Sequence, residues 1–116
     1  MSNVKRTSEI KIQVGLDEDN VPIRLNWQST DSAVSQEVQE CKAMLLALFD
    51  KENLDTLKID LWTKEMQVIE MDRFFFQTLR GLADTYFRAT KNKELAADMQ
   101  KFVQYFGEQT KVLSKE

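Results

Sequence analysis

A chain of 116 residues with 42% hydrophobic and 30% charged side chains has the size and apolar content of one ordinary globular domain. A single domain over residues 1–116 is therefore expected, with residues 1–8 as a flexible N-terminus. Lys plus Arg 16 against Asp plus Glu 19 leave a net charge of -3, which excludes the basic excess needed to neutralise phosphates or to hold an anionic membrane.

The N-terminus leads from Met1 and Ser2 into alternating polar and apolar residues rather than into the apolar stretch of a secretory signal. From Glu9 to Leu16 the residues Ile10, Ile12, Val14 and Leu16 face one way and Glu9, Lys11, Gln13 and Gly15 the other. That period of two predicts a half-buried strand. After the polar turn Asp17 to Asn20, the alternation of Ile23, Leu25 and Trp27 with Arg24, Asn26 and Gln28 predicts the second strand of a hairpin, with Pro22 at its start, where a missing N–H is tolerated.

The polar stretch from Ser29 to Lys42 is expected to be a loop or one short helix. Val34, Val38, Cys41, Leu45 and Leu48 also fit a helical stripe. Lys42 to Phe49 is nevertheless read as a strand, because Thr56 to Trp62 alternates Leu57, Ile59 and Leu61 with Lys58, Asp60 and Trp62, and the link from Asp50 to Asp55 is short enough for a hairpin. Thr63 is the expected N-cap of a long helix, followed by acidic Glu65. Its apolar face is read as Val68, Met71, Phe75, Leu79, Leu82 and Tyr86. A break near Lys91 to Lys93 precedes a second amphipathic helix with Leu95, Met99, Phe102 and Phe106, which stops at Gly107 or continues toward Leu113. Two hairpins followed by two helices predict an α+β fold: a four-stranded antiparallel sheet with both C-terminal helices packed on one face.

The chain contains no histidine, which removes His-based triads, His acid/base chemistry and most zinc sites. The acidic turn at Asp17 does not continue as a calcium loop, since Pro22 stands where glycine is needed and Gln28 where the last Glu belongs. Gly15, Gly81 and Gly107 lie too far apart to build a phosphate-cradling loop. No metal and no cofactor are expected. Cys41 is the one cysteine, so no internal disulfide can form, and a lone thiol fits a reducing compartment. The longest apolar run, Ala43 to Phe49, is far shorter than a membrane span. The chain is expected to be soluble, not inserted in a membrane, and cytoplasmic unless a leader was removed.

Pairing Leu48 with Leu57 across the second hairpin puts Met44, Leu46, Leu48, Leu57, Ile59 and Leu61 on one face, expected to lie under the helices. Ala43, Leu45, Ala47 and Phe49 then share the opposite face with Trp62. On the long helix Phe74 points about 100 degrees away from Phe75. Exposed apolar groups that cluster mark partner sites, so Trp62, Leu45, Phe49, Ala43 and Phe74 form the candidate protein-contact surface. The alternative is that the segment from Ser29 to Lys42 covers this face and that Phe74 lies under the terminal helix.

The segments TLKIDLWTKEM from Thr56 to Met66, FFFQTLRGLADTY from Phe74 to Tyr86 and EIKIQVGLDEDNVP from Glu9 to Pro22 resemble the gliding-motility protein C (Gld C) family of gliding bacteria. The similarity runs from about Glu9 to about Gly107. Two positions depart from the family pattern: Gln67 stands where proline is frequent and Phe76 where histidine is frequent. The resemblance implies a soluble accessory protein of the gliding machinery, linked with cell-envelope lipoproteins and a dedicated secretion system, and implies no reaction. The expected function is non-enzymatic binding to other motility or envelope-associated proteins, with no nucleic-acid partner and with a homodimer left open. The competing expectation is a small-ligand-binding domain or carboxylate enzyme with a pocket between sheet and helices, drawing on Asp60, Asp72 and Asp84.

Overall fold

The computed structural model describes residues 2–30 and 37–113. Five strands and two helices follow one another as β1 (Ile10–Leu16), β2 (Pro22–Ser29), β3 (Gln39–Cys41), β4 (Ala43–Phe49), β5 (Thr56–Trp62), α1 (Val68–Thr90) and α2 (Lys93–Gln109). They fall into two compact units, Met1–Met66 with the strands and Gln67–Glu116 with the helices. The α+β class is as expected.

In the strand unit β1 and β2 form the first hairpin, with Val14 opposite Leu25 and Ile12 opposite Trp27. The register slips between Gly15 and Leu16 as the chain enters the turn, and Pro22 occupies the first position of β2. The turn closes on itself. Asp17 Oδ1 accepts from the N–H groups of Asp19 at 2.9 Å and Val21 at 3.0 Å, and Asn20 takes a left-handed φ of 62°.

The second hairpin has the register its alternation predicts, with Leu48 opposite Leu57 and Ala43 opposite Trp62. Its link is an Asx turn: Asp50 Oδ2 accepts from Glu52 and Asn53 N–H at 3.0 and 2.9 Å. The helical reading of Val38, Cys41, Leu45 and Leu48 is overturned, because these residues lie in or beside strands. Val34 lies outside the described residues.

The expected single four-stranded sheet is replaced by two sheets, three-stranded β1-β2-β3 and two-stranded β4-β5. The cause is a bend at Lys42, which divides one run of extended chain. Before the bend β3 pairs with β2, placing Cys41 opposite Leu25; after it β4 pairs with β5. The end of the stretch read as loop or short helix is thus a strand. Leu25, flanked by Val14 and Cys41, is the most deeply buried apolar residue of this unit at 1% exposure.

Thr63 does not cap α1. Its N–H donates to Lys42 O at 2.8 Å, extending the β4–β5 ladder, and its side chain is buried with Oγ1 lacking a hydrogen-bond partner among the described residues. The chain makes a turn after it, with Met66 N–H donating to Thr63 O at 3.0 Å, so the helix begins further on. Its cap is Gln67, whose N–H donates to Glu70 Oε1 at 3.0 Å. The helix ends at Lys91, which is left-handed at φ 60° and donates its N–H to Phe87 O at 2.8 Å. Asn92 then caps α2 by accepting from Leu95 N–H at 3.2 Å.

Within the helical unit α1 and α2 run antiparallel. The residues buried there are Phe76 and Ala83 from α1 and Ala96, Val103 and Gly107 from α2. Met71, Leu79 and Tyr86 of the expected α1 stripe and Met99 and Phe106 of the expected α2 stripe are half-buried, but the centre of each buried stripe is rotated toward the next residue. Phe75 and Leu82 on α1, and Leu95 and Phe102 on α2, are not buried by the hairpin. Gly107 does not end α2, which continues to Gln109; it lies where a Cβ would come within 2.6 Å of the Phe76 ring. Glycine at this position lets the two helices approach closely.

Candidate functional site

The β4–β5 register places Ala43 directly across from Trp62, with Leu45 opposite Asp60 and Phe49 opposite Thr56. Side chains alternate across a strand, so Ala43, Leu45, Phe49 and Trp62 share one face of this hairpin. Trp62 is 54% and Phe49 69% exposed, which makes them accessible apolar anchors, while Ala43 is half-buried. Four of the five candidate contact residues are thus brought together on one hairpin. Phe74 belongs to the helical unit, where it is half-buried and meets Phe75 edge to face at 6.3 Å.

The opposite face of the same hairpin carries Met44, Leu46, Leu48, Leu57, Ile59 and Leu61. Leu48 and Leu57 are exposed here and Leu61 is half-buried. The opposite face is thus apolar throughout, whereas the face of Trp62 and Phe49 also carries Thr56 and the exposed ion pair of Lys58 and Asp60.

The three carboxylates considered for catalysis have separate environments. Asp60 is paired with Lys58 at 2.5 Å, and Asp84 accepts from Arg88 Nε at 3.0 Å. Asp72 and Asp84 are both on α1, where a rise of about 1.5 Å per residue sets them roughly 18 Å apart along the axis. They are too distant to act on one bond. The Asp17 carboxylate is held below its ordinary pKa by hydrogen bonding to Lys64 and then by the Val21 N–H, so its oxygens are engaged within the turn. Asp50 is lowered in the same way by the Asn53 and Glu52 N–H groups. Burial pushes the Cys41 thiol up, which disfavours the nucleophilic thiolate.

An open depression of about 280 Å³ on the three-stranded sheet is lined by Arg24, Asn26, Val38 and Glu40. Its mixed charges did not stand out in the sequence, because Arg24 and Asn26 lie on β2 and Glu40 on β3 with Val38 just before it, and that strand pairing is not written in local pattern. Among the described residues no helix is long and apolar enough to cross a membrane.

The model of the GldC-like family, described as gliding motility-associated protein GldC-like, matches residues 22–112. The chain belongs to the GldC-like family. No curated protein and no solved structure matches it. The matched stretch takes in β2 through α2, so the β4–β5 hairpin and both helices lie within it. As a GldC-like protein the chain is associated with gliding motility.

Proposed function

We propose that this GldC-like protein is a non-enzymatic accessory component of the bacterial gliding machinery that works by protein–protein contact. Its contact surface is the hairpin face formed by Ala43, Leu45, Phe49 and Trp62. The observation that carries the reading is the exposed pair Trp62 and Phe49 on a strand pair inside the family's matched region. Aromatic residues of this kind are typical anchors of protein interfaces. The lone thiol of Cys41 supports a reducing compartment, so the partner is sought among motility or envelope-associated proteins with a cytoplasmic surface.

The distribution of carboxylates supports a binding role over a hydrolytic one, because the candidate acids are ion-paired or far apart. The reading is tested by complementation in a gliding bacterium lacking this chain. Wild type restores spreading over a surface, whereas Trp62→Lys, at equal abundance and with an unchanged circular dichroism spectrum, does not. Full spreading with Trp62→Lys overturns the assigned surface, and loss of spreading only where the variant is unfolded overturns it as well.

A further inference from the structure

Strand β5 pairs with β4 along one edge, and no strand among the described residues pairs with the other. The inner ladder shows which residues point outward. Asp50 N–H donates to Asp55 O at 2.8 Å and Thr63 N–H donates to Lys42 O at 2.8 Å. In an antiparallel pair such hydrogen-bonded positions recur every second residue. Residues 55, 57, 59, 61 and 63 thus direct their backbone groups to β4, and Thr56, Lys58, Asp60 and Trp62 direct theirs away from it. An edge of this length is a template for another strand.

The side chains along that edge limit what can pair with it. Lys58 and Asp60 are opposite in sign, two residues apart and on the same face, joined to each other at 2.5 Å. We propose that the outer edge of β5 pairs with the same strand of a second copy, antiparallel about a two-fold axis at Ile59. Two copies meeting through outward-pointing residues can adopt only registers in which outward faces outward. Centring on Lys58 sets Lys58 against Lys58, and centring on Asp60 sets Asp60 against Asp60. Centring on Ile59 sets each Lys58 against the other copy's Asp60, Leu57 against Leu61 and Thr56 against Trp62.

Like charges directly opposite one another destabilise a strand pair and opposite charges stabilise it, so the Ile59 register is selected. A two-fold axis repeats each such contact, which doubles the effect of every charge. Pairing stops beyond Trp62, where Lys64 N–H is already given to Pro22 O at 3.3 Å. The product is a four-stranded sheet in which Leu57, 58% exposed in one copy, and Ile59, 39% exposed, lie on one continuous apolar face. This inference does not rest on the assigned gliding contact: it uses the backbone edge of β5 and the Lys58–Asp60 pair, although Trp62 belongs to both the edge and the contact face.

Sedimentation equilibrium on the full chain tests it. The wild type is expected to dimerise. Lys58→Asp or Asp60→Lys alone should weaken the dimer about tenfold or more, since each replaces two attractive pairs with two repulsive ones. The combined exchange Lys58→Asp with Asp60→Lys should restore it. Circular dichroism melts of all three variants confirm that they are folded; the pair in one copy is exposed, so its loss has little effect on folding. A second measurement uses crosslinking in a Cys41→Ser background. Opposed non-hydrogen-bonded residues lie about 4.5 Å apart at Cα, within disulfide range, so Ile59→Cys should oxidise to a dimer. Leu57→Cys should not, because its two copies lie roughly 13 Å apart along the strands. A chain that is monomeric throughout, a combined exchange no better than the single ones, or equal crosslinking at both positions overturns the proposal.

Discussion

The two helical glycines should respond in opposite directions to the same substitution. Gly81, in the middle of α1, has no neighbouring atom within 4 Å of the point where an alanine methyl would stand, so Gly81→Ala gains only the helix-propensity difference. That is worth about 0.5–1 kcal/mol of added stability. At Gly107 the added Cβ would stand 2.6 Å from Phe76 Cε1 and 2.7 Å from Leu113 Cδ1. The Leu113 side chain can turn aside. The Phe76 ring cannot do so cheaply, because it is 5% exposed, packed in the helical hairpin and faced by the Arg80 guanidinium at 5.2 Å. Overpacking of this sort costs roughly 1–3 kcal/mol, which exceeds the propensity gain, so Gly107→Ala should destabilise by about 1–2 kcal/mol. Thermal melts followed by helical circular dichroism should show the two variants on opposite sides of wild type, with about 4 °C for each kcal/mol. A Gly107→Ala protein as stable as Gly81→Ala would refute the close approach of α2 to Phe76.

The strand unit offers a comparable contrast: Leu25→Ala, at a site 1% exposed, should cost about 2–5 kcal/mol, and Leu61→Ala, at a half-buried site, distinctly less. Urea midpoints in the reverse order would show that the burial in this unit is misassigned. Trp62→Lys, at a position 54% exposed, should lower stability by about 1 kcal/mol or less, and a collapse of the melt would show that the face is covered. For pH, Asp17 and Asp50 have folded pKa values below their unfolded ones, so their contribution is complete above the ordinary carboxylate range near about 4 and fades as pH falls through the lower folded values. With no histidine in the chain, stability should be flat between about pH 6 and 8, and a steep change in that window would reveal a perturbed group elsewhere. The raised Cys41 pKa favours its neutral form in the fold, so stability should decline once pH passes the thiol's unfolded value near about 8.5, a decline that Cys41→Ser should abolish.

Local pattern by itself determined the two hairpins, the register of the second and the existence of both helices. Period-two alternation and short links with turn-forming Asp and Asn leave a strand pair few alternatives, which is why Leu48 opposite Leu57 and Ala43 opposite Trp62 could be written from the residues alone. The candidate contact set on that hairpin was legible for the same reason, since a register assigns every side chain a face. The charge pair Lys58 and Asp60 was visible too, but its meaning depends on which residues of β5 point away from β4. Only the tertiary structure decided the rest. The bend at Lys42 that splits the sheet follows from β3 pairing with β2, and Thr63 joins the β4–β5 ladder through Lys42 O and is followed by a turn to Met66, so the helix starts only at Val68. The buried helical stripe was equally beyond local pattern. On α1 the apolar residues occupy two adjacent stripes, through Phe75 and Leu82 or through Phe76 and Ala83, and spacing is identical for both. The choice is made by the partner helix, where Gly107 leaves the room that the Phe76 ring fills.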